Sequence, residues 1–226
     1  DIVPNHMAAS AENPFWEDVL ARGRGSRYAK WFDIDWEAGA GKLVLPVLAE
    51  ELEIALSREE LLVDDGNEAL RLRYRERSWP LNPDAMPEAA GLATRELLEK
   101  QHYRLAFWRR APEEIDYRRF FDVNDLVALR QEDPEVFEET HAFVLELLGN
   151  GVIDAVRVDH VDGLADPARY LERLRTADCG LRTGAAQLGA PVFVEKILAT
   201  GESLRESWPV PGTTGYEFLN HIEGLF

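Results

Sequence analysis

The sequence predicts an α/β fold: a partial (β/α)8 TIM barrel made of its middle strands, with a large mixed α/β excursion after the first visible strand. Three short apolar segments, at residues 2–3, 155–159 and 192–195, each run into polar or charged residues. Segments with helical periodicity that begin at an Asp-Pro or Asn-Pro pair separate them. Strands that are apolar throughout and charged at their carboxyl ends are typical of a parallel barrel, whose active site lies at that end.

The composition is that of a globular, acidic protein. Of the 226 residues, 46% are hydrophobic and 30% are charged, which is too apolar for a disordered chain. The longest apolar run, at residues 43–49, is far shorter than the roughly 20 residues of a membrane-spanning helix. A net charge of -17 repels phosphate groups, so we expect neither nucleic acid nor a membrane as a partner. The single cysteine, Cys179, leaves no internal disulfide and fits a reducing, cytoplasmic location.

Both ends of the sequence have the character of internal positions. Residues 1–6 (DIVPNH) match the end of a buried strand, without an initiator methionine or a signal peptide, and the sequence stops at Phe226 without a polar tail. We therefore expect a piece of a longer protein. Residues 1–6 and 133–226 are assigned to a catalytic barrel, and residues 7–132 to an inserted subdomain.

Several elements are predicted within the excursion. Asn13-Pro14 begins a short helix, because Asn is a favoured N-cap and Pro a favoured first residue. Apolar residues (Leu70, Leu72 and Tyr74) alternate with arginines over residues 70–75 after turn residues at 64–67, which predicts a half-exposed hairpin. A helical segment over residues 95–107 and an aromatic-rich stretch over residues 117–121 follow.

A strand–helix–strand unit is predicted over residues 152–195. The helix before it begins at Asp133-Pro134 and ends at the Gly-Asn-Gly of residues 149–151. After the strand at 155–159, a second helix begins at Asp166-Pro167 and leads to the strand at 192–195. A crossover of this kind joins parallel strands, so we expect the two strands in one sheet.

Two carboxylates close these strands. Asp159 and Glu195 each end an apolar run, and neighbouring strands lie about 4.8 Å apart. A carboxyl pair separated by about 5–5.5 Å is the geometry of retaining glycoside chemistry, in which one acid attacks the anomeric carbon and the other transfers the proton. Arg157 precedes Asp159 by two residues, hence on the same face, where it can orient that carboxylate. From these residues alone, the alternative that each acid is a salt-bridge partner at a loop carries equal weight.

Other candidate sites are weaker. Asp159, His160 and Asp162 lie close enough for a metal site, but such groups are more often an ion-pair cluster, so no metal is assigned. His141 lies in the middle of a helix and is expected to be structural. Cys179 has no histidine partner at an informative spacing. The aromatic candidates for stacking on sugar rings, of which most are expected to pack in the core, are Trp16, Trp31, Trp36, Trp108, Phe120 and Phe121.

Longer motifs carry a resemblance to a known family. Residues 1–8 (DIVPNHMA), 157–164 (RVDHVDGL) and 194–198 (VEKIL) resemble three of the four conserved regions of the alpha-amylase superfamily. The fourth region, which holds a further His-Asp pair, has no match before Phe226. Within this superfamily, the chain resembles the maltooligosyltrehalose synthase branch over essentially its whole length. The resemblance includes the motifs above and three more, at residues 101–106 (QHYRLA), 117–124 (YRRFFDVN) and 212–219 (GTTGYEFL).

The resemblance implies an intramolecular transglycosylase of trehalose biosynthesis. Such an enzyme converts the reducing-end α-1,4 linkage of a maltooligosaccharide into an α,α-1,1 linkage, which makes it an isomerase, a glucosylmutase. Asp159 would be the nucleophile, Glu195 the general acid/base and Arg157 the residue that orients the nucleophile. No cofactor is implied.

The same resemblance implies four further site residues. His6 and His160 would contact the sugar, and Asp1 and Asn5 would support the floor of the site. Two rival functions remain open: an α-glucan hydrolase of the same superfamily, and a non-catalytic fragment that only binds glucan. The sequence makes no prediction of the preferred glucan length or the oligomeric state.

Overall fold

The computed structural model describes residues 1–64, 70–86, 94–176 and 190–225. They form a mixed α/β structure that divides into two compact units, of which one comprises Asp1–Asn5 and Leu129–Phe226 and the other His6–Ala128. Among the described helices, none combines the length and the apolar character that a membrane-spanning segment requires.

The described residues of the unit His6–Ala128 form three small sheets. One is antiparallel in the order β1-β8-β7, the second is the parallel pair β2-β6, and the third is the antiparallel meander β3-β4-β5. In chain order its elements are β1 (His6–Ala8), α1 (Pro14–Arg22), β2 (Leu43–Leu48), α2 (Leu52–Ser57), β3 (Leu61–Asp64), β4 (Arg71–Tyr74), β5 (Arg77–Pro80), α3 (Thr94–Glu99), β6 (Tyr103–Phe107), α4 (Ala111–Glu114), β7 (Arg119–Phe120) and β8 (Val123–Ala128).

Helix α1 begins where the sequence predicts. The Asn13 side chain accepts hydrogen bonds from the backbone N–H groups of Phe15 and Trp16, at 3.1 and 3.3 Å, and Pro14 occupies the first turn. The helix ends at Arg22 and is followed by Gly23, whose φ of +57° favours glycine. A Cβ at this position would also lie 2.8 Å from the His102 ring. The buried face of the helix consists of Trp16, Val19 and Leu20.

The predicted hairpin is confirmed and extends to a third strand. Strand β4 pairs antiparallel with β3, with Asp64 opposite Arg71, and also with β5. Leu72 and Tyr74 are buried while the arginines between and beside them are not, as alternation predicts. Of the predicted turn at 64–67, residues 65–67 lie outside the described part of the chain.

The prediction of one helix over residues 95–107 is wrong in its second half. The helix α3 ends at Glu99, and residues Tyr103–Phe107 form strand β6 in parallel register with β2. Tyr103 and Leu105 are buried while Arg104 between them is only half-buried, which is the alternation of a strand. Long-range pairing with β2, which a local periodicity does not detect, decides the conformation here.

The unit Asp1–Asn5 with Leu129–Phe226 is built on a parallel sheet. Its elements are α5 (Pro134–Gly149), β9 (Val156–Val158), α6 (Pro167–Thr176), β10 (Val192–Val194), β11 (Gly212–Thr213) and α7 (Tyr216–Glu223). The strand order is β11-β10-β9, all parallel, and Ile2 adds a parallel bridge to Val158. The predicted strand–helix–strand unit is confirmed as β9-α6-β10, and the predicted first strand is observed as the Ile2 bridge.

Helices α5 and α6 pack an apolar core against this sheet. Asp133 caps α5 by accepting a hydrogen bond of 2.9 Å from the backbone N–H of Glu135. The core includes Phe137 of α5, Leu171 and Leu174 of α6, and Val158 and Val194 of the strands. Four parallel segments thus lie side by side, and within the described residues they do not close into a barrel.

Candidate active site

Asp159 and Glu195 follow register partners on neighbouring strands. Val158 of β9 is opposite Val194 of β10, and the backbone N–H of Glu195 donates a hydrogen bond of 2.8 Å to the carbonyl oxygen of Val158. Both valines are fully buried on the helix side of the sheet. Because side chains alternate along a strand, the next residue on each strand projects from the opposite face. The two carboxylates therefore leave the same face of adjacent strands, which are about 4.8 Å apart.

Arg157 joins two carboxylates on that face. Its Nη2 lies 2.7 Å from Oδ1 of Asp159, and its Nε donates a hydrogen bond of 3.0 Å to Oδ1 of Asp1. The Ile2 bridge brings Asp1 there, because the Asp159 backbone N–H donates to the Ile2 carbonyl oxygen at 2.9 Å. The contact with Asp159 is an ion pair without hydrogen-bond geometry, so the guanidinium attracts this carboxylate and offsets part of the negative charge on this face.

The turn after Asp159 positions Glu195. His160 has a φ of +51°, a left-handed conformation that is unusual for a residue other than glycine. In this conformation its backbone N–H donates a hydrogen bond of 2.8 Å to Oε2 of Glu195. The loop of one strand thus fixes the carboxylate of the next, and the unfavourable backbone conformation costs about 1–2 kcal/mol.

Gly163 and Asn5 stabilise this turn from the other side. A Cβ on Gly163 would lie 2.3 Å from the His160 ring and 2.8 Å from Nδ2 of Asn5, so only glycine fits. The buried Asn5 side chain donates a hydrogen bond of 2.5 Å from Nδ2 to the Gly163 carbonyl oxygen. The close approach of the His160 ring and the Asn5 side chain therefore explains why glycine occupies position 163 of the 157–164 motif.

Lys196 links the two loops that follow the carboxylates. Its Nζ lies 3.0 Å from Oδ2 of Asp162 and 2.9 Å from Oε1 of Glu202. Hydrogen bonds to Glu202 and Asp162 raise the pKa of Lys196 above its ordinary value. The ion pairs connect the segment after β9 with the segment after β10. Sequence reasoning assigned no role to Lys196, although its place directly after Glu195 is the signal that points to it.

The structure therefore brings together six of the seven residues singled out in the sequence. Within the described residues of this unit, no group of three His, Cys, Asp or Glu side chains is arranged to hold a metal ion. The seventh residue, His6, belongs to β1 of the other unit, where its ring centroid lies 4.4 Å from that of Phe120. The six that lie together in one unit are Asp1, Asn5, Arg157, Asp159, His160 and Glu195.

The remaining candidates from the sequence, which are His141, the aromatic residues and Cys179, differ in how far they are buried. His141 is a buried core residue, as expected: its Nε2 lies 2.7 Å from the Tyr170 hydroxyl, and its ring stacks on Phe137. The expectation that most of the six aromatic candidates pack in the core is wrong. Only Trp16 and Trp31 are buried, Trp36 and Phe120 are half-buried, and Trp108 and Phe121 are 51% and 71% exposed. Cys179 lies outside the described residues.

The known proteins that are similar to this chain include maltooligosyltrehalose synthases. No family model matches the chain. A curated protein of Mycobacterium tuberculosis, provisionally named maltooligosyl trehalose synthase, is 42% identical over 229 residues that span 100% of this chain and 27% of that protein.

Solved structures agree with the curated relatives. The maltooligosyltrehalose synthase of Arthrobacter ramosus is 43% identical with a TM-score of 0.84, over 99% of this chain and 27% of that chain. A second maltooligosyl trehalose synthase structure is 36% identical with a TM-score of 0.83, over 100% of this chain and 28% of that one. The chain thus spans about a quarter of the length of the relatives it matches. Along its whole length it is similar, in sequence and in fold, to a segment of maltooligosyltrehalose synthases, which confirms the resemblance indicated by its motifs.

Proposed function

We propose that this chain carries the catalytic carboxylates of a retaining transglycosylase that converts maltooligosaccharides into maltooligosyltrehalose. The observation that carries the proposal is the register of Val158 with Val194, which sets Asp159 and Glu195 on one face of adjacent parallel strands. The similarity to maltooligosyltrehalose synthases supports the choice of substrate. The function belongs to a protein that contains these 226 residues, since the chain matches only 27% of its relatives.

Two displacements account for the reaction. In the first, an Asp159 carboxylate oxygen attacks the anomeric carbon of the penultimate sugar while Glu195 donates its proton to the leaving glycosidic oxygen. The bond to the terminal glucose breaks, and a covalent glycosyl ester remains on Asp159. In the second, Glu195 takes the proton of the anomeric hydroxyl of the freed glucose, and the oxygen of this hydroxyl attacks the anomeric carbon of the glycosyl ester. The bond from that carbon to Asp159 breaks, which releases the carboxylate. The donor carbon is inverted twice, so its α configuration is retained.

The neighbouring residues serve these two steps. Arg157, at 2.7 Å from Asp159, keeps the nucleophile oriented, and Asp1 holds the far side of the guanidinium. The His160 backbone N–H fixes one oxygen of Glu195, which leaves the other for proton transfer. We assign the His160 side chain and His6 to contacts with sugar hydroxyls, and Asn5 to support of the turn beneath.

The parallel segments are proposed to be middle strands of a (β/α)8 barrel of the alpha-amylase superfamily. The four parallel segments, Ile2, β9, β10 and β11, are consistent with consecutive strands of such a barrel. Both carboxylates directly follow the carboxyl ends of their strands, where the active site of a barrel lies. In this interpretation, residues 7–132 are an excursion from the barrel. A transglycosylase must hold the freed glucose and keep water out while the ester exists. No step of the proposed reaction requires a cofactor.

A reducing-end assay tests the proposal. A protein that contains these residues is incubated with maltopentaose, and both the reducing ends and the product length are followed. The proposed reaction lowers the reducing power without shortening the glucan. A rise in reducing ends would identify a hydrolase instead, and no change with intact protein would leave only a binding role. Glu195→Gln is expected to lower the rate about 10²–10⁴-fold, whereas Glu206→Gln, at an exposed position of the same unit, should leave it unchanged.

A further inference from the structure

The unit His6–Ala128 contains a cavity that the catalytic proposal does not use. Its volume is about 500 Å³, within the range of about 300–1,000 Å³ typical of small-molecule sites. It lies at the carboxyl ends of the parallel strands β2 and β6, where Leu48 is opposite Phe107. Ala49 and Trp108, the residues that directly follow these strands, both line it. Ligands bind preferentially beyond the carboxyl ends of parallel strands.

Trp108 gives this cavity an accessible aromatic surface. The residue is 51% exposed, and the Arg109 guanidinium lies 5.3 Å from its ring centroid. Within the described residues, the Trp108 indole N–H has no hydrogen-bond partner. The side chain therefore offers both an aromatic face and an unused donor, a combination that favours a ligand with an apolar face and a polar edge.

The charged side chains that line the cavity are balanced in sign. Arg77 donates two hydrogen bonds to the Asp125 carboxylate, at 3.0 and 3.2 Å, which joins β5 to β8. The lining contains two cations, Arg75 and Arg77, and two anions, Glu76 and Asp125. The ionised groups thus cancel, so the cavity does not select a charged ligand.

Glu76 supplies an acceptor for hydroxyl groups. Its carboxylate is exposed and has no hydrogen-bond or ion-pair partner among the residues that the structure describes. A carboxylate with free oxygens near an aromatic ring binds a neutral molecule with several hydroxyl donors more readily than an apolar one.

We propose that this cavity is a carbohydrate-binding site, in which Trp108 stacks on a sugar ring and Glu76 accepts its hydroxyl hydrogens. Sugars present C–H groups on their faces and hydroxyls at their edges, and they are neutral, which matches the aromatic surface, the free acceptor and the balanced lining. The choice of an α-1,4-glucan as the ligand rests on the proposed function.

Titration of the 226-residue chain with maltopentaose tests the site. Binding is followed by calorimetry and by tryptophan fluorescence. Trp108→Ala is expected to raise the dissociation constant about tenfold, which corresponds to about 1.4 kcal/mol. Glu76→Ala is expected to raise it several-fold, and Trp108→Phe to keep most of the affinity. Phe143→Ala, at an exposed aromatic residue of the other unit, is the control and should have no effect. Circular dichroism establishes that each variant is folded.

The outcomes separate this proposal from the catalytic one. If Trp108→Ala and Glu76→Ala both bind as the unaltered chain does, or if that chain shows no saturable binding up to about 10 mM, well above typical KM values, the carbohydrate site is refuted. The Asp159→Asn and Glu195→Gln variants of the chain should retain the Trp108-dependent binding. Such binding together with an absence of turnover in the reducing-end assay would refute the proposed function and leave this site standing.

Discussion

The backbone N–H of His160 donates a hydrogen bond of 2.8 Å to Oε2 of Glu195, so the residue that follows Asp159 holds the carboxylate of the neighbouring strand. The two proposed catalytic acids are therefore not positioned independently. Any change that moves the turn after Asp159 is therefore expected to move Glu195 as well.

Gly163→Ala is predicted to damage the site without contact to any substrate. Its new Cβ would lie 2.3 Å from the His160 ring, so the turn has to shift and the hydrogen bond to Glu195 is lost. We expect a loss of about 1–3 kcal/mol in the free energy of unfolding, measured by urea denaturation, and a lower kcat. Gly212→Ala is the control, because a Cβ there meets nothing within 4 Å. Equal effects of the two substitutions would contradict this account of the turn.

Lys196→Met is predicted to lower kcat about tenfold while KM stays nearly constant. The substitution keeps the length of the side chain but removes the ion pairs with Asp162 and Glu202, so the segments after β9 and β10 are no longer linked. Lys196→Arg should recover most of the rate because it keeps the charge. Lys42→Met removes an ion pair of 3.6 Å to the Glu99 carboxylate and a hydrogen bond of 2.7 Å to the Glu99 carbonyl oxygen, both in the other unit, and should leave the rate unchanged. A rise in KM at constant kcat would show that Lys196 binds substrate instead.

The stability of the unit that contains His141 is predicted to fall as the pH is lowered from about 6.5 to 4. Burial lowers the pKa of His141 to about 4, against about 6.5 in an unfolded chain. The Phe137 carbonyl oxygen lies 3.0 Å from Nδ1, which therefore carries the proton, and Nε2 accepts from the Tyr170 hydroxyl. In this pH range the unfolded state binds the extra proton and the folded state does not, so stability rises with pH.

The size of this effect is about 3 kcal/mol, from about 1.4 kcal/mol per unit of pKa difference. Urea denaturation between pH 4.5 and 7.5 measures it. His141→Gln should remove this part of the pH dependence, whereas His221→Gln, at an exposed position of the same unit, should keep it. An unchanged pH profile in His141→Gln would refute the assignment.

Local sequence patterns predicted the elements that depend on nearby residues. The cap at Asn13 and Pro14 and the alternation at Leu72 and Tyr74 require only neighbours in the chain, and both predictions are confirmed. The helix that the sequence predicts over Tyr103–Phe107 is wrong, because the strand conformation observed there depends on pairing with β2, about 60 residues earlier.

In the candidate site, too, the sequence predicts what depends on the local strand pattern and not what depends on contacts between distant loops. The adjacency of Asp159 and Glu195 follows from strand alternation and one crossover, which a sequence contains. The hydrogen bond from Asn5 to Gly163 and the ion pairs of Lys196 depend on how loops fold against each other. His6 directly follows Asn5 in the chain, yet it belongs to the other unit, a boundary that no composition change marks.

The most direct test of the central claim is to identify the residue that forms the covalent bond. A protein that contains these 226 residues is treated with a fluorinated maltosyl fluoride, which forms the glycosyl ester rapidly and releases it slowly, and the labelled peptide is sequenced by mass spectrometry. The account predicts one maltosyl group on Asp159, and no label in Asp159→Asn. A label on another carboxylate, or turnover of the glucan by Asp159→Asn at the unaltered rate, would contradict it.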